Sequence, residues 1–438
     1  MTRVLIVGNG PAAHRLAERL CAGHGFPGPV TVLGAEPVPA YQRVLLPSVL
    51  DGTLSPAELA LPPLPPSVTV RLNARAVAVD RRRRVVSTED GEEYGYDVLV
   101  LATGARPRSG DGMRTLRSLA DCEGLAEGAV AVVGGGVLGV EAALALRRAG
   151  REVTLVHPNA HLMESRLNPA AAELLAAHLI EQGVAVRLES LVERIDDGKV
   201  TLDSGEPLGA DVVLRCAGVE PETGLAREAG LAVRSGVLVD DLLRTSDPRI
   251  HAIGDCAEHP RGAPGLVTTA WEQAEALAGF IATGRGGYRG TRSVVRPRVP
   301  GLDLVAMGTL DERAERVRLS DPAHGRVAEL AVRDGRLAGA VLCGLPRGIA
   351  DVTQLYDRDL PVPSGLLSLL LGTDPTPLGP VELPDDAVIC RCNNVTKAAL
   401  LAALRGGARG LGGVAAATRA TTGCGTCVKT VRTVLEAA

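Results

Sequence analysis

Two stretches of the chain repeat one order of apolar and glycine-rich positions. Residues 3–7, RVLIV, carry an apolar run, VLIV, too short for a helix, which predicts a buried strand. Gly8-Asn9-Gly10-Pro11-Ala12-Ala13 follows, then HRLAERLCAG with its apolar residues at helical spacing, then PVTVL at 29–33 as a second strand. The order returns at 130–133, VAVV, followed by Gly134-Gly135-Gly136-Val137-Leu138-Gly139, the helical VEAALALRRAG and the strand REVTLV ending at Val156. Each is a strand, glycine turn, helix, strand unit. Its glycines let the backbone approach a pyrophosphate, and its helix N-terminus offers aligned N–H groups to that charge. Gly8, Gly10, Pro11, Ala12 and Ala13 are the binding candidates of the first unit, and Gly134, Gly136 and Gly139 those of the second. Either turn alone could belong to an unrelated α/β domain; two in one chain predict two nucleotides.

Further elements complete this frame. YDVLVLATGARPR (96–108) reads as a buried strand leaving through Ala102-Thr103-Gly104. TSDPRIHAIGDCAE (245–258) reads as another, ending at Gly254-Asp255. A carboxylate at a strand end can hold a sugar or ribitol hydroxyl; it can equally cap the helix predicted from TAWEQAEALAGFIATG (269–284). AVRDGRLAGAVLCG (331–344) is a hairpin about Asp334-Gly335. Arg81–Arg84 sits between the strand-like Val77–Val79 and Val85–Val86 and reads as a solvated hairpin face. Residues 372–386, GTDPTPLGPVELPDD, are rich in Pro and Gly without apolar period and read as a linker.

Composition narrows the class. The 438 residues are 46% hydrophobic and 22% charged, which suits a core-forming protein of several domains. Aromatics are 2%, so the core rests on Val, Leu and Ala. A net charge of −4 argues against a nucleic-acid partner. No apolar run reaches the roughly 18 residues of a membrane span, and MTRVLIVGNG does not read as a signal peptide. An odd total of nine cysteines points to a reducing cytoplasm rather than structural disulfides.

Four of those cysteines crowd into the end of the chain, as Cys390-x-Cys392 and Cys424-x-x-Cys427. Four thiolates are the ligand set of a two-iron two-sulfur cluster and also of structural zinc; an unliganded dithiol is the third possibility. Gly423 and Gly425 leave N–H groups unshielded beside the sulfurs, and helices predicted from Thr396 and Val428 turn positive ends toward them. Both features suit an anionic cluster. Cys216 and Cys343 follow strands and read as core, Cys256 follows Asp255 and reads as packed with thiol chemistry left open, and His14 reads as a surface residue of the first helix. Trp271 reads as a packing residue, or, by the flavoprotein resemblance given below, as one stacked near the flavin.

These motifs resemble the FAD-dependent pyridine nucleotide–disulfide reductases and their ferredoxin-reductase relatives over roughly residues 1–285. The terminal module resembles bacterioferritin-associated-ferredoxin-like domains. The fold implied is α/β: two Rossmann-like domains for FAD and NAD(P), the former discontinuous, then a small α/β domain and a small helical two-iron two-sulfur module. The expected division is 1–108 with 231–285 for FAD, 109–230 for NAD(P)H, 286–371 for the small domain, 372–386 for the linker and 387–438 for the iron–sulfur domain.

The resemblance also implies roles. Glu36 would take the adenosine ribose of FAD, and Arg43 would lie near the diphosphate or adenine. Ser48 stands where many relatives carry a lysine by the flavin. Ala102, Thr103, Gly104, Gly254 and Asp255 would complete that site. Glu141 continues the second turn's pattern, and His157 replaces the acid that favours NADH, which tilts the expectation to NADPH. Residues 34–60 hold no cysteine, so a dithiol relay is not expected, and hydride transfer itself calls for no catalytic side chain. PAYQRVLLPSVL (39–50) and HPNAHLMESRLNPAAAELL (157–175) resemble segments of nitrite reductase and assimilatory nitrate reductase flavoproteins. The expected activity is electron transfer from NAD(P)H through FAD and the cluster to a catalytic nitrate or nitrite reductase subunit. The rivals are a reductase serving an oxygenase or an amino-acid-oxidising complex, and an iron-handling or redox-sensing flavoprotein.

Overall fold

The computed structural model describes residues 1–438 apart from 109, 111, 126, 127, 197, 198, 262–264, 372–382, 391, 392, 394, 422–426 and 438. Most of the expected linker, and Cys392 and Cys424, lie outside the described residues. The chain divides into two compact units: Met1–Arg43, Leu54–Arg108 and Val219–Thr291 form one, and Val44–Thr53, Ser109–Gly218 and Arg292–Ala438 the other.

The first unit is built on a five-stranded parallel sheet in the order Ile250–Ala252, Val98–Leu101, Val4–Val7, Val30–Leu33, Val68–Arg71. Val4–Val7 is buried at every position because its sheet is covered on both faces. Burial of such Val and Leu side chains contributes roughly 1.5–3 kcal/mol each. Helix Pro11–Glu18 packs against helix Val267–Thr283, whose end is set by Gly284 in the left-handed conformation. The unit takes up the chain again at Val219, where Val219–Pro221 pairs antiparallel with Ala105–Pro107.

Two residues of this unit depart from the sequence reading. His14 is buried, not at the surface, and its Nε2 meets the Pro62 carbonyl at 2.8 Å. Arg81 is no mere solvated charge: its Nε donates to Asp247 at 2.9 Å, a carboxylate 166 residues away. Arg83 follows the expected surface pattern, pairing with Glu93.

The second unit repeats the parallel architecture, in the order Ala185–Arg187, Val153–Val156, Val130–Val133, Val212–Arg215, Arg114–Thr115. Helix Leu46–Leu50 belongs to this unit: it packs on helix Val137–Arg148, and Asp51 accepts from Arg148. The segment 39–50 is thus shared out, its first residues in one unit and its last in the other. A five-stranded antiparallel sheet follows, with Arg326–Arg333 and Arg336–Cys343 as its central hairpin. Asp334 and Gly335 have φ of 51° and 69°, the conformation a two-residue hairpin turn requires. Helices Pro346–Asp357 and Leu366–Leu371 join its core. The chain ends in strands Val388–Cys390 and Val395–Thr396 and helices Lys397–Arg405, Gly410–Thr418 and Val428–Glu436. Among the described residues no helix is long and apolar enough to cross a membrane.

Candidate functional site

In the first unit the glycine turn lies under the exit of a neighbouring strand. A Cβ on Gly8, whose φ is 111°, would stand 2.1 Å from the Ala102 carbonyl oxygen, so no side chain fits. Helix Pro11–Glu18 starts from Gly10 without any side-chain cap, and Pro11 at its start has no N–H to satisfy. That end is left open to an anion. The turn Gly254–Cys256 backs onto the same helix start: a Cβ on Gly254 would sit 3.2 Å from that of Ala12. Asp255 is therefore carried to the open helix end. Gly254 N–H donates to Gln273 Oε1 at 2.7 Å, and Trp271 Nε1–H to the Pro11 carbonyl at 3.2 Å. The Thr103 hydroxyl donates to the Glu222 carbonyl at 2.7 Å, a structural use. Cys256 Sγ faces the Ile253 and Leu101 carbonyls, and burial pushes its thiol pKa up.

Glu36 is held rather than exposed. Its carboxylate accepts from the Tyr41 hydroxyl at 2.8 Å and pairs with Arg43, whose guanidinium also lies 4.6 Å from the Tyr41 ring centroid. A carboxylate fixed on one side keeps lone pairs for a ribose hydroxyl. Among the described residues, the buried side-chain atoms of this unit without a hydrogen-bond partner include both amide atoms of Gln42, the Thr269 hydroxyl oxygen and Gln273 Nε2, besides atoms of Arg15, Arg19 and Glu275. Buried polar atoms without partners are rare, and such groups in the unit that carries the uncapped glycine turn fit a polar cofactor such as FAD. Sequence reasoning passed over Gln42 and Thr269, since an isolated Gln or Thr has no pattern.

The second unit holds the matching turn. Gly134 has φ of 114° and a Cβ there would lie 2.7 Å from the Cys216 carbonyl oxygen; one on Gly139 would lie 1.8 Å from the Gly134 oxygen. Helix Val137–Arg148 starts from Gly136, again uncapped by any side chain and with no acid in its first turn. Glu141 is buried and turned to the chain's own use, accepting from Arg298 N–H at 2.8 Å and from its Nε at 3.1 Å. His157 is also buried: its Nδ1 accepts from Gly135 N–H at 3.0 Å, and its Nε2 meets Glu164 Oε2 at 2.9 Å. Asn159 Nδ2 donates to the other carboxylate oxygen at 2.8 Å. Glu164, absent from the sequence candidates, is thereby fixed beside the turn; its one signal was an acid eight positions after the strand end. Ser48 lies half-buried on helix Leu46–Leu50 of this unit.

Of the four expected metal ligands, Cys390 and Cys427 are described. Cys390 ends its strand, Cys427 precedes helix Val428–Glu436, and that helix packs against that strand. Both are buried. Two soft sulfur donors on touching elements, one at a helix N-terminus, suit thiolate ligation of an iron–sulfur cluster. The remaining described cysteines are unsuited to reactivity where burial raises their thiols: Cys122 and Cys343 to about 11 and Cys216 to about 12.

Comparison with known proteins agrees with this layout. Residues 2–274 match the family described as pyridine nucleotide-disulphide oxidoreductase, and residues 388–437 match the BFD-like [2Fe-2S] binding domain. The chain is 31% identical over 460 residues to an assimilatory nitrate reductase electron transfer subunit of Bacillus subtilis (strain 168), covering 99% of this chain and 59% of the relative. It is 30% identical over 468 residues to a nitrite reductase [NAD(P)H] of the same organism, covering 99% and 57%. The chain thus spans somewhat more than half the length of these relatives. A solved putidaredoxin reductase–putidaredoxin complex superposes with a TM-score of 0.76 at 25% identity, over 86% of this chain and 99% of that one. Open helix starts at two glycine turns, and buried cysteines on a domain matched as [2Fe-2S] binding, accord with FAD, NAD(P)H and a two-iron two-sulfur cluster as the cofactors. The chain belongs to the pyridine nucleotide-disulphide oxidoreductase family, with a BFD-like iron–sulfur domain at its C-terminal end.

Proposed function

We propose that this chain is the electron-transfer component of an assimilatory nitrate or nitrite reductase, taking electrons from NAD(P)H and delivering them to a catalytic subunit in the cytoplasm. The observation that carries the reading is that similarity to the nitrate reductase electron transfer subunit runs over 99% of the chain, through both glycine turns and the terminal cysteines. When bound, FAD supplies hydride acceptance from nicotinamide and the cluster supplies single-electron carriage.

The chain's own residues do the rest. The uncapped helix starts at Gly10 and Gly136 hold pyrophosphate charge by their N–H groups. Glu36, oriented by Tyr41 and Arg43, accepts from a ribose hydroxyl. Asp255 supports FAD from the helix start on which Gly254 rests. Cys390, Cys392, Cys424 and Cys427 ligate the cluster, and their thiolates match the soft iron site. No side chain is required as a proton donor, because hydride passage moves no proton from the protein.

The test is an oxidation assay with NADH and NADPH, offering the catalytic subunit of a nitrate or nitrite reductase as acceptor. Turnover that depends on that subunit supports the proposal. Oxidation that proceeds with small dyes while the subunit stays unreduced overturns it.

A further inference from the structure

His157 occupies the place where an acid accepts from the adenosine ribose of NAD, yet its ring has nothing left to give. A backbone N–H can only donate, so Nδ1, 3.0 Å from Gly135 N, is the unprotonated acceptor. The proton is then on Nε2, where it is donated to Glu164 at 2.9 Å. The ring is packed against the turn itself: a Cβ on Gly135 would stand 2.8 Å from His157 Cγ and 2.6 Å from Leu162 Cδ2. Met163 N–H closes the wrap on the Gly135 carbonyl at 2.9 Å. Residues 157–164 therefore fold back over the glycine turn and carry the Glu164 carboxylate one imidazole's breadth outward from it.

That carboxylate is a fixed anion at the surface. Its side chain is 44% exposed against 7% for His157. Burial works to raise its pKa, but its own backbone N–H, Asn159 and His157 outweigh this and hold it below the ordinary carboxylate range. The nearby cation at the end of the adjacent strand, Arg187, is turned to Glu206 at 3.7 Å.

We infer that Glu164, presented by His157 and Asn159, is the specificity-determining residue that reads the adenosine 2′ position, accepting from its hydroxyl and repelling a 2′-phosphate, so that the chain prefers NADH. The inference rests on the proposal that the second glycine turn binds a dinucleotide. It reverses the expectation drawn from His157 alone. Its three donors leave the Glu164 carboxylate, with about four lone pairs, one to accept from the ribose. A phosphate carrying close to two negative charges has no such acceptor-to-donor match and meets the carboxylate's charge directly.

The experiment is calorimetric titration of the FAD-loaded full chain with ADP-ribose and with its 2′-phosphorylated form, which reads binding rather than turnover. The wild-type protein binds ADP-ribose tighter by roughly tenfold or more, a ratio that shrinks as salt screens the repulsion. Glu164→Gln brings the two ligands within about threefold, and Glu164→Lys inverts the order. A wild-type preference for the 2′-phosphorylated ligand, or an unchanged ratio in Glu164→Gln with its flavin spectrum intact, overturns the inference while leaving the dinucleotide reading standing. Binding of neither ligand by the wild-type protein overturns that reading and this inference with it. If neither variant retains flavin, the wild-type ratio and its salt dependence decide.

Discussion

The two glycine turns solve one steric problem in opposite ways. In the first, the residue between the glycines is large, Asn9, and the residue after the second strand is small: a Cβ on Gly34 would stand 2.8 Å from Asn9 Cβ. In the second, the turn residue is small, Gly135, and the residue after the strand is large, His157, at the same 2.8 Å. Space at the turn allows one bulky side chain, from one partner or the other. The consequence is chemical. Where the strand end is small, an acid three residues past Leu33, Glu36, is held by Tyr41 and Arg43. Where the strand end is His157, the ring becomes the holder and the acid is Glu164, eight residues past Val156. Both turns end with a carboxylate fixed by neighbouring donors, although its distance along the chain differs.

Substitutions can break this comparison. The largest effect belongs to what the turns share. Gly8→Ala and Gly134→Ala each force a side chain into backbone carbonyl at positive φ, at an expected cost of about 2–5 kcal/mol. Gly8→Ala should release FAD on gel filtration, whereas Gly134→Ala should keep the flavin spectrum and lose nucleotide binding by titration. Equal loss of FAD in both would mean that the turns do not divide the cofactors.

Next come the features that differ. Gly135→Ala should cost about 1–3 kcal/mol in thermal or denaturant unfolding by overpacking against His157 and Leu162, and His157→Ala in the same chain should recover part of it. Gly34→Ala with Asn9→Gly is the mirror pair. Additive effects within either pair would show that the two side chains do not compete for one space.

A smaller effect is expected from the holder of Glu36. Arg43→Met leaves the carboxylate with Tyr41 alone and should weaken FAD retention by about 1 kcal/mol, read as a severalfold rise in the FAD dissociation constant. An unchanged constant would assign Arg43 to packing.

The smallest effect concerns acid. Burial raises the Glu258 pKa, but Arg234, the Gly236 N–H and Ser235 more than offset it and bring the carboxyl to about 2. A carboxyl depressed in the folded state contributes stability that is complete above its unfolded value, about 4.3, and is lost as pH falls from there toward 2. Glu258→Gln should flatten that part of the acid unfolding curve, and a curve of unchanged slope would place the acid sensitivity elsewhere.

Much of this was legible in the chain. Both glycine turns, their flanking strands and the Asp334-Gly335 hairpin follow from patterns within a few residues. The cysteine spacing carried the terminal module, with Cys390 and Cys427 found on touching elements. Less was legible where a side chain's role depends on distant partners. Arg81 belongs to a visible charge run, but its partner Asp247 is reached only through the fold. His14 occupies an ordinary helical position and is buried by the Pro62 segment. Glu141 continues a nucleotide-site pattern while its carboxylate is taken by Arg298, 157 residues on.

By itself, the sequence determined the strands that flank each glycine turn, the two places where backbone can approach a phosphate, and the sulfur donors in the last 49 residues. Those depend on residue type and short spacing: glycine has no Cβ, apolar runs bury, and thiolates ligate soft metals. Tertiary structure alone decided what holds Glu36 and that Glu164 stands at the second turn, because a hydrogen bond is directional and effective only within about 3 Å. At that range seven residues of intervening chain can put an acid in contact or out of reach, and only packing settles which.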